Sequence, residues 1–195
     1  MGIIYAIGTL VIIICALVLP RILMNAHPIR PYNGLAPAQQ AYNGATAQFT
    51  TAYASPDDHF TVRFPSYPTT DSSNVPINGT TVTTRSYTVS DSNTSYSVHV
   101  IPYPASIDMS DKDARLKAAL DGAAKAVGGT IASSKFETFA GNRALEASVS
   151  TTQGGKTTSN YSLYFLKGNT LYSLVAIGVN QNDFDAFKLT FHLTV

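Results

Sequence analysis

Residues 161–177 read YSLYFLKGNTLYSLVAI. Two runs of alternating side chains flank Gly168-Asn169, a dipeptide suited to a tight reversal. Before the turn, Tyr161, Leu163 and Phe165 fall on one face, and Tyr164 and Leu166 on the other. After it, Leu171, Val175 and Ile177 alternate against Tyr172, Leu174 and Ala176. The pattern predicts two antiparallel strands that are apolar on both faces, so the sheet they join needs cover on both sides. A plain β-sandwich would leave one of those faces wet.

The neighbouring sequence extends the sheet. Gly154-Gly155 predicts a hairpin between Arg143–Thr151 and Lys156–Leu166, and Gly141-Asn142 predicts another after Thr130–Phe139. Upstream, His59–Phe64 alternates with Phe60, Val62 and Phe64 inward, Thr80–Val89 is a β-branched run, and Tyr96–Tyr103 alternates until Pro102 and Pro104 end it. Ser66–Asn78, rich in Ser, Thr, Asn and Pro, reads as a loop. One long helix is predicted from Ser110, with Asp113 completing a variant capping box, an apolar stripe of Leu116, Leu120, Ala123, Ala124 and Val127, and a glycine stop at Gly128-Gly129. A second helix is predicted over Asn182–Leu189, with Phe184, Phe187 and Phe191 as the apolar residues of the closing segment. The expected class is α+β: a central antiparallel sheet flanked by helices on both faces.

The chain has 195 residues, 13 Lys+Arg against 12 Asp+Glu, one cysteine and 13% charged residues. One cysteine excludes an internal disulfide framework and a cysteine-rich metal site. A net charge of +1 with no basic run gives no drive toward nucleic acid. Gly2–Leu19 carries no charged side chain and is dominated by Ile, Leu and Val, which predicts a single transmembrane helix within residues 1–24. No Lys or Arg precedes this run and no small-x-small site follows it, which favours an uncleaved anchor over a signal peptide. Cys15 follows Ile14 where a lipobox wants a small residue, so it reads as a packing or lipid-facing side chain. Residues 25–56, with Pro28, Pro31, Pro37 and Pro56, read as a Pro/Ala-rich linker, and 57–195 as one globular domain. Arg21 and Arg30 after the helix favour a cytoplasmic domain by the positive-inside rule. The low-charge, Ser/Thr-rich composition favours the opposite side. Three sequons occur, at Asn78, Asn93 and Asn160, and they matter only in a lumenal eukaryotic setting.

Phe60-Thr61-Val62-Arg63-Phe64-Pro65, Leu120-Asp121-Gly122-Ala123, Gly141-Asn142-Arg143-Ala144, Gly168-Asn169-Thr170-Leu171-Tyr172-Ser173-Leu174 and the closing Phe184, Phe187 and Phe191 occur in an order that resembles the PsbP-like superfamily. That group includes the photosystem oxygen-evolving subunit, a Ran-binding nuclear-transport protein and small bacterial exported domains. The resemblance covers about Asp57 to Val195. It implies an α/β/α sandwich and an exported or membrane-tethered setting, and it implies no shared catalysis. No partner-binding motif of those branches matches residues of this chain.

The search for chemistry yields no catalytic, cofactor-binding or metal site and no cofactor. His27, His59, His99 and His192 pair with no Cys or His at ligand spacing. His99, alternating with Val98 and Val100, reads as a surface or satisfied core residue. Asp57-Asp58-His59 is a candidate cation site at a strand start, with a solvated turn as its simpler reading. Asp108, Asp111 and Asp113 resemble a calcium loop but lack its glycine and terminal Glu, and helix capping explains Asp111 and Asp113. Asp183 and Asp185 read as first-turn helix charges. Glu137 and Glu146 lie on adjacent predicted strands, where exposed pairing with Lys135 or Arg143 is the simple reading. Tyr67, Tyr103, Tyr161, Tyr164 and Tyr172 are candidates for a sugar or peptide groove, or simply strand residues of the core. No nucleophile elbow, Walker loop or dinucleotide fingerprint is present. The resulting expectation is a non-enzymatic, single-pass, membrane-tethered binding or assembly domain, outside the cytoplasm, with a protein partner in the cell envelope. The alternative is a small-ligand- or lipid-binding domain with its pocket between helix and sheet. A hydrolase is the third reading.

Overall fold

The computed structural model describes residues 48–77, 79–91 and 93–194. The expected membrane helix at 1–24, most of the 25–56 linker, Cys15 and His27 lie outside the described residues. Among the described residues, no helix is long and apolar enough to cross a membrane.

Among the described residues, ten strands and two helices follow in the order β1 (Thr51–Ser55), β2 (Phe60–Phe64), β3 (Thr69–Ile77), β4 (Thr80–Ser90), β5 (Ser95–Pro102), α1 (Lys112–Ala126), β6 (Thr130–Phe139), β7 (Asn142–Gln153), β8 (Lys156–Lys167), β9 (Thr170–Ile177), α2 (Gln181–Leu189) and β10 (His192–Leu193). They form a seven-stranded sheet of order β3-β4-β5-β9-β8-β7-β6 and a three-stranded sheet of order β1-β2-β10, with every pairing antiparallel. The hairpin glycines act as the sequence suggests: Gly154 and Gly155 hold φ of 57° and 77°, which fits a tight two-residue reversal.

This corrects the expected α/β/α sandwich. The domain is mostly β, built from two sheets, with only two helices among the described residues. Both faces of the β8–β9 pair are covered, as their double alternation requires, but by unlike layers. On one face Leu145, Tyr164, Leu166 and Leu171 pack with Leu116, Leu120, Ala123 and Ala124 of α1. On the other, Leu163, Phe165, Tyr172 and Leu174 pack with Phe60, Val62 and Phe64 of β2 and with Phe184 and Phe187 of α2. A helix of nine residues spans only about 14 Å, too short to cover that face alone. The alternating apolar residues of β2 complete the layer because β1 and β10 pair with β2, outside the large sheet.

Two further boundaries differ from expectation. Ser66–Asn78 is not a loop throughout, since β3 occupies Thr69–Ile77 and pairs with β4 as an edge strand. Its first residues are exposed, so no buried face imposes alternation on them. The folded part also begins before Asp57: β1 lies inside the linker stretch, and Phe49 is buried against Tyr96 and Phe187. The N-cap of α1 is Asp111, whose carboxylate accepts from Ala114 N at 2.9 Å, and the cap of α2 is Asn180, which accepts from Asp183 N at 3.0 Å.

After β9 the chain turns at Gly178, with φ of 72°, against the Asp91–Thr94 turn. A Cβ there would lie 2.0 Å from the Asn93 carbonyl oxygen. The left-handed backbone and the clash act together, so Gly178→Ala should lower stability by roughly 2 kcal/mol. Urea unfolding of the two proteins checks this. A loss below a few tenths would show that the turn yields freely.

Candidate functional site

The α1 face of the large sheet divides into an apolar part and a polar part. α1 packs on β6, β7 and β8. Over β4, β5, β9 and the start of β8, the same face presents Thr84, Ser86, Thr88, Ser95, Ser97, His99, Ser173, Ser162 and Asn160, placed there by strict alternation and register. Thr84, Ser95, Ser97, His99, Ser162 and Ser173 are buried. Ser86, Thr88, Val175 and Ile177 are half-buried.

Buried polar atoms are normally hydrogen-bonded, and each exception needs a reason. Some here have partners. Ser97 Oγ and His99 Nε2 are 3.0 Å apart, Thr84 Oγ1 donates to Ser73 O at 3.2 Å, and Asn160 Nδ2 donates to Thr151 Oγ1 at 3.2 Å. Among the described residues, four buried side-chain atoms have none: Thr88 Oγ1, His99 Nδ1, Tyr103 OH and Asn160 Oδ1. All four belong to the α1 face. His99 is 4% exposed, and burial alone pushes its imidazole down to about 4. Burial also raises the Tyr103 phenol, against the opposing charge of Arg115.

The Ser97–His99 contact resembles half of a hydrolytic triad. Among the described residues no carboxylate bonds His99 Nδ1, and a base protonated only near pH 4 binds a proton weakly at neutral pH. The arrangement can orient a hydrogen-bonding guest.

Two charged clusters lie on the opposite face. Asp58 is buried and takes Arg85 Nε on both oxygens, at 2.8 and 2.7 Å, while Arg85 Nη2 and the Tyr87 hydroxyl also donate to it. Its backbone carbonyl accepts from Tyr172 OH at 2.9 Å, and Ser55 Oγ lies 2.8 Å from Tyr87 OH. The hydrogen bond to Asp58 holds the Arg85 guanidinium above its ordinary range. Burial, then the bond to Asp58, pushes the Tyr87 phenol up to about 12. Asp58 is thus neither a solvated turn residue nor a cation site. It joins the β1–β2 turn to β4 and β9. His59 beside it holds φ of 53°, and its carbonyl accepts from Thr194 N at 2.8 Å.

The second cluster joins α2 to β6 and β7. Lys188 bonds Glu146 and Asp185, and Lys135 reaches Glu146 at 3.2 Å and Glu137 at 3.8 Å. Burial opposes the Lys188 charge, but the bonds to Glu146 and Asp185 outweigh it and raise its pKa. Glu137 and Glu146 therefore share Lys135 as expected, although Glu146 is buried. Arg143 pairs instead with Asp113 at 2.9 Å.

The other sequence candidates scatter. Asp108 and Asp111 accept backbone bonds at the start of α1, Asp183 lies in the first turn of α2, and His192 is exposed on β10. No three His, Cys, Asp or Glu side chains converge on a metal position among the described residues. The tyrosines do not share a groove. Tyr67 is 74% exposed, Tyr103 and Tyr164 face α1, and Tyr161 and Tyr172 face the small sheet and α2. Asn160 is buried, which removes its sequon from use in the folded protein. An open groove of about 430 Å³ lies between Phe49, Thr50, Arg63, Ala186, Leu189 and Thr190, beside the exposed Leu189.

The domain these features define is a mostly-β, two-sheet structure with a PsbP-like fold. The solution structure of cyanobacterial PsbP (CyanoP) from Synechocystis sp. PCC 6803 is similar over 86% of this chain and 99% of that one, with a TM-score of 0.53 at 11% identity. A Pseudomonas aeruginosa protein of unknown function is similar over 68% of this chain and 84% of its own, with a TM-score of 0.37 at 12% identity. No protein-family model and no curated protein matches the chain. At such identity the likeness to PsbP concerns the fold alone.

Proposed function

We propose that this chain is a non-catalytic binding domain, tethered to a membrane of the cell envelope by the apolar segment at 1–24 and lying outside the cytoplasm. The binding surface is the polar half of the α1 face, around His99, Thr88, Ser97 and Ser173. One observation carries the assignment of the surface: of the four buried side-chain polar atoms that lack partners among the described residues, those of Thr88, His99 and Asn160 lie on that half, and the fourth, Tyr103 OH, lies on the same face within the apolar cluster. Unmet hydrogen-bonding capacity is costly to bury and is relieved by a guest that supplies the missing groups. The tether rests on the uncharged run Gly2–Leu19.

A second reading, docking of an envelope protein, draws on a different feature. Leu189 is 76% exposed beside the groove that Phe49 and Arg63 line. Substituting Leu189 by Asp separates the two readings, because it alters the groove and leaves the polar face intact. Crosslinking in intact membranes should then lose a stoichiometric partner only if the groove holds one.

Topology is tested by protease access to a carboxyl-terminal tag on intact cells. Cleavage without lysis is the expected result. Protection until lysis would show that Arg21 and Arg30 set the orientation, and would overturn the location.

A further inference from the structure

We propose that the open edge of β6 pairs with the same edge of a second copy of this chain, antiparallel and centred on Phe136. The large sheet then runs on across a two-fold axis. β6 ends the order of that sheet, and among the described residues no strand pairs with its outer side. Ser133, Ser134, Lys135 and Thr138 are exposed. An open edge is a template for another strand unless it is blunted. The other free edges are blunted or short: β3 carries Asp71 and Pro76, β10 has two residues and β1 has five. The bulge of β6 lies between Ile131 and Ser133, and the register from Ser133 to Phe139 is regular.

The turn after β6 fixes which backbone groups face outward. Ala140 and Gly141 hold φ of 48° and 73°, as in a type I′ turn, whose flanking residues Phe139 and Asn142 form a hydrogen-bonded pair. Bonded and non-bonded pairs alternate along an antiparallel ladder. Lys135, Glu137 and Phe139 therefore turn their N–H and C=O groups to β7, and Ser134, Phe136 and Thr138 turn theirs to the open edge. A second β6 centred on Phe136 meets these outward groups with its own: Phe136 faces Phe136, and Ser134 faces Thr138. Lys135 then stands opposite Glu137 of the second copy, and the dyad repeats the pair. Moving the dyad by one residue sets Lys135 against Lys135 or Glu137 against Glu137. Moving it by two loses both charge pairs. The charges thus specify the partner and the register together. Within one chain Lys135 is loosely held, 64% exposed and 3.8 Å from Glu137, so it can reach across. On the α1 side the half-buried Phe136 supplies an apolar centre, with Lys117 and Arg143 over its ring and Arg143 neutralised by Asp113.

The test measures the mass of the full chain in density-matched detergent by sedimentation equilibrium. One strand pair is small beside the roughly 1,200 Å² of a stable interface, so a dissociation constant between about 1 μM and 1 mM is expected. Ser134→Pro removes an outward N–H without touching the bonds to β7, and should weaken the dimer at least tenfold. Ser134→Ala keeps the N–H and should leave it unchanged. Register is read by disulfide formation on a Cys15→Ser background. Lys135→Cys and Glu137→Cys proteins, when mixed, bring cysteines opposite each other at a Cα separation of about 4.5 Å, within disulfide range. Either protein alone sets its cysteines diagonally, about 8 Å apart and beyond that range. The mixture should crosslink at least tenfold faster than either alone. A monomer at every concentration would overturn the proposal. So would a dimer that Ser134→Pro leaves intact, since another part of the chain would then hold it. Equal crosslinking in the mixture and in the single variants would overturn the pairing centred on Phe136, and this arm stands even if Ser134→Pro fails to fold.

Discussion

Replacing Arg85 by leucine should lower the stability of the domain by about 3–5 kcal/mol, the range for removing one partner of a buried ion pair. The cost arises from what remains. The Asp58 side chain is 2% exposed, and it would keep only the Tyr87 hydroxyl among its side-chain donors. The reverse change should cost less. Arg85 is 32% exposed, so after Asp58→Leu its guanidinium can turn to water. The double substitution Asp58→Leu with Arg85→Leu should therefore be less damaging than Arg85→Leu alone. That order of the three variants, read by urea unfolding, identifies the desolvated carboxylate as the source of the loss. Equal losses for the two single variants would instead mean that packing at the β1–β2 turn dominates. The location makes the effect global: Asp58 is tied to β4 through Arg85 and Tyr87 and to β9 through Tyr172. Losing it loosens the small sheet from the large one.

The Asp58 clamp shows where reading by residue type stops. Asp57-Asp58-His59 looks like a turn because each residue is polar and Pro56 precedes it. What buries Asp58 is Arg85, 27 positions later, and no local period announces that pairing. Double alternation in β8 and β9 is a local signal, and it correctly requires cover on both faces. It does not say whether a helix or a strand provides the cover. β1 escapes notice because Thr51-Ala52-Tyr53-Ala54-Ser55 has a single large side chain, Tyr53, and lies inside a Pro/Ala-rich stretch. β3 escapes because its exposed half carries no apolar alternation and Pro76 interrupts it. In β5, the alternation of Tyr96, Val98 and Val100 with Ser95, Ser97 and His99 is visible, but the usual inference sends the polar set to water. In the folded domain both sets are buried. A polar set on a central strand of a sheet covered on both faces is the signal that would have directed attention to His99.

Stability should fall by about 3 kcal/mol as the pH is lowered from about 6.5 to about 4, through His99 alone. Above that window the imidazole is neutral in both states and contributes no pH dependence. In the unfolded chain it titrates near 6.5, whereas burial holds it near 4 in the fold. Between these values the unfolded chain takes up a proton that the folded protein refuses, so unfolding gains about 1.4 kcal/mol per pH unit. Below the folded value both states are protonated and the loss levels off. The exposed carboxylates bound by neighbouring groups, such as Asp91 and Asp108, have lowered pKa values. Their contribution is lost only as the pH falls below the ordinary carboxylate range, so it does not overlap the upper part of the histidine window. Urea unfolding across the window, with His99→Gln as the control, measures the effect: the slope should disappear in the variant. A flat profile in the unaltered protein would mean that the imidazole gains charge inside the fold as easily as in water. That requires a nearby carboxylate or free access of solvent.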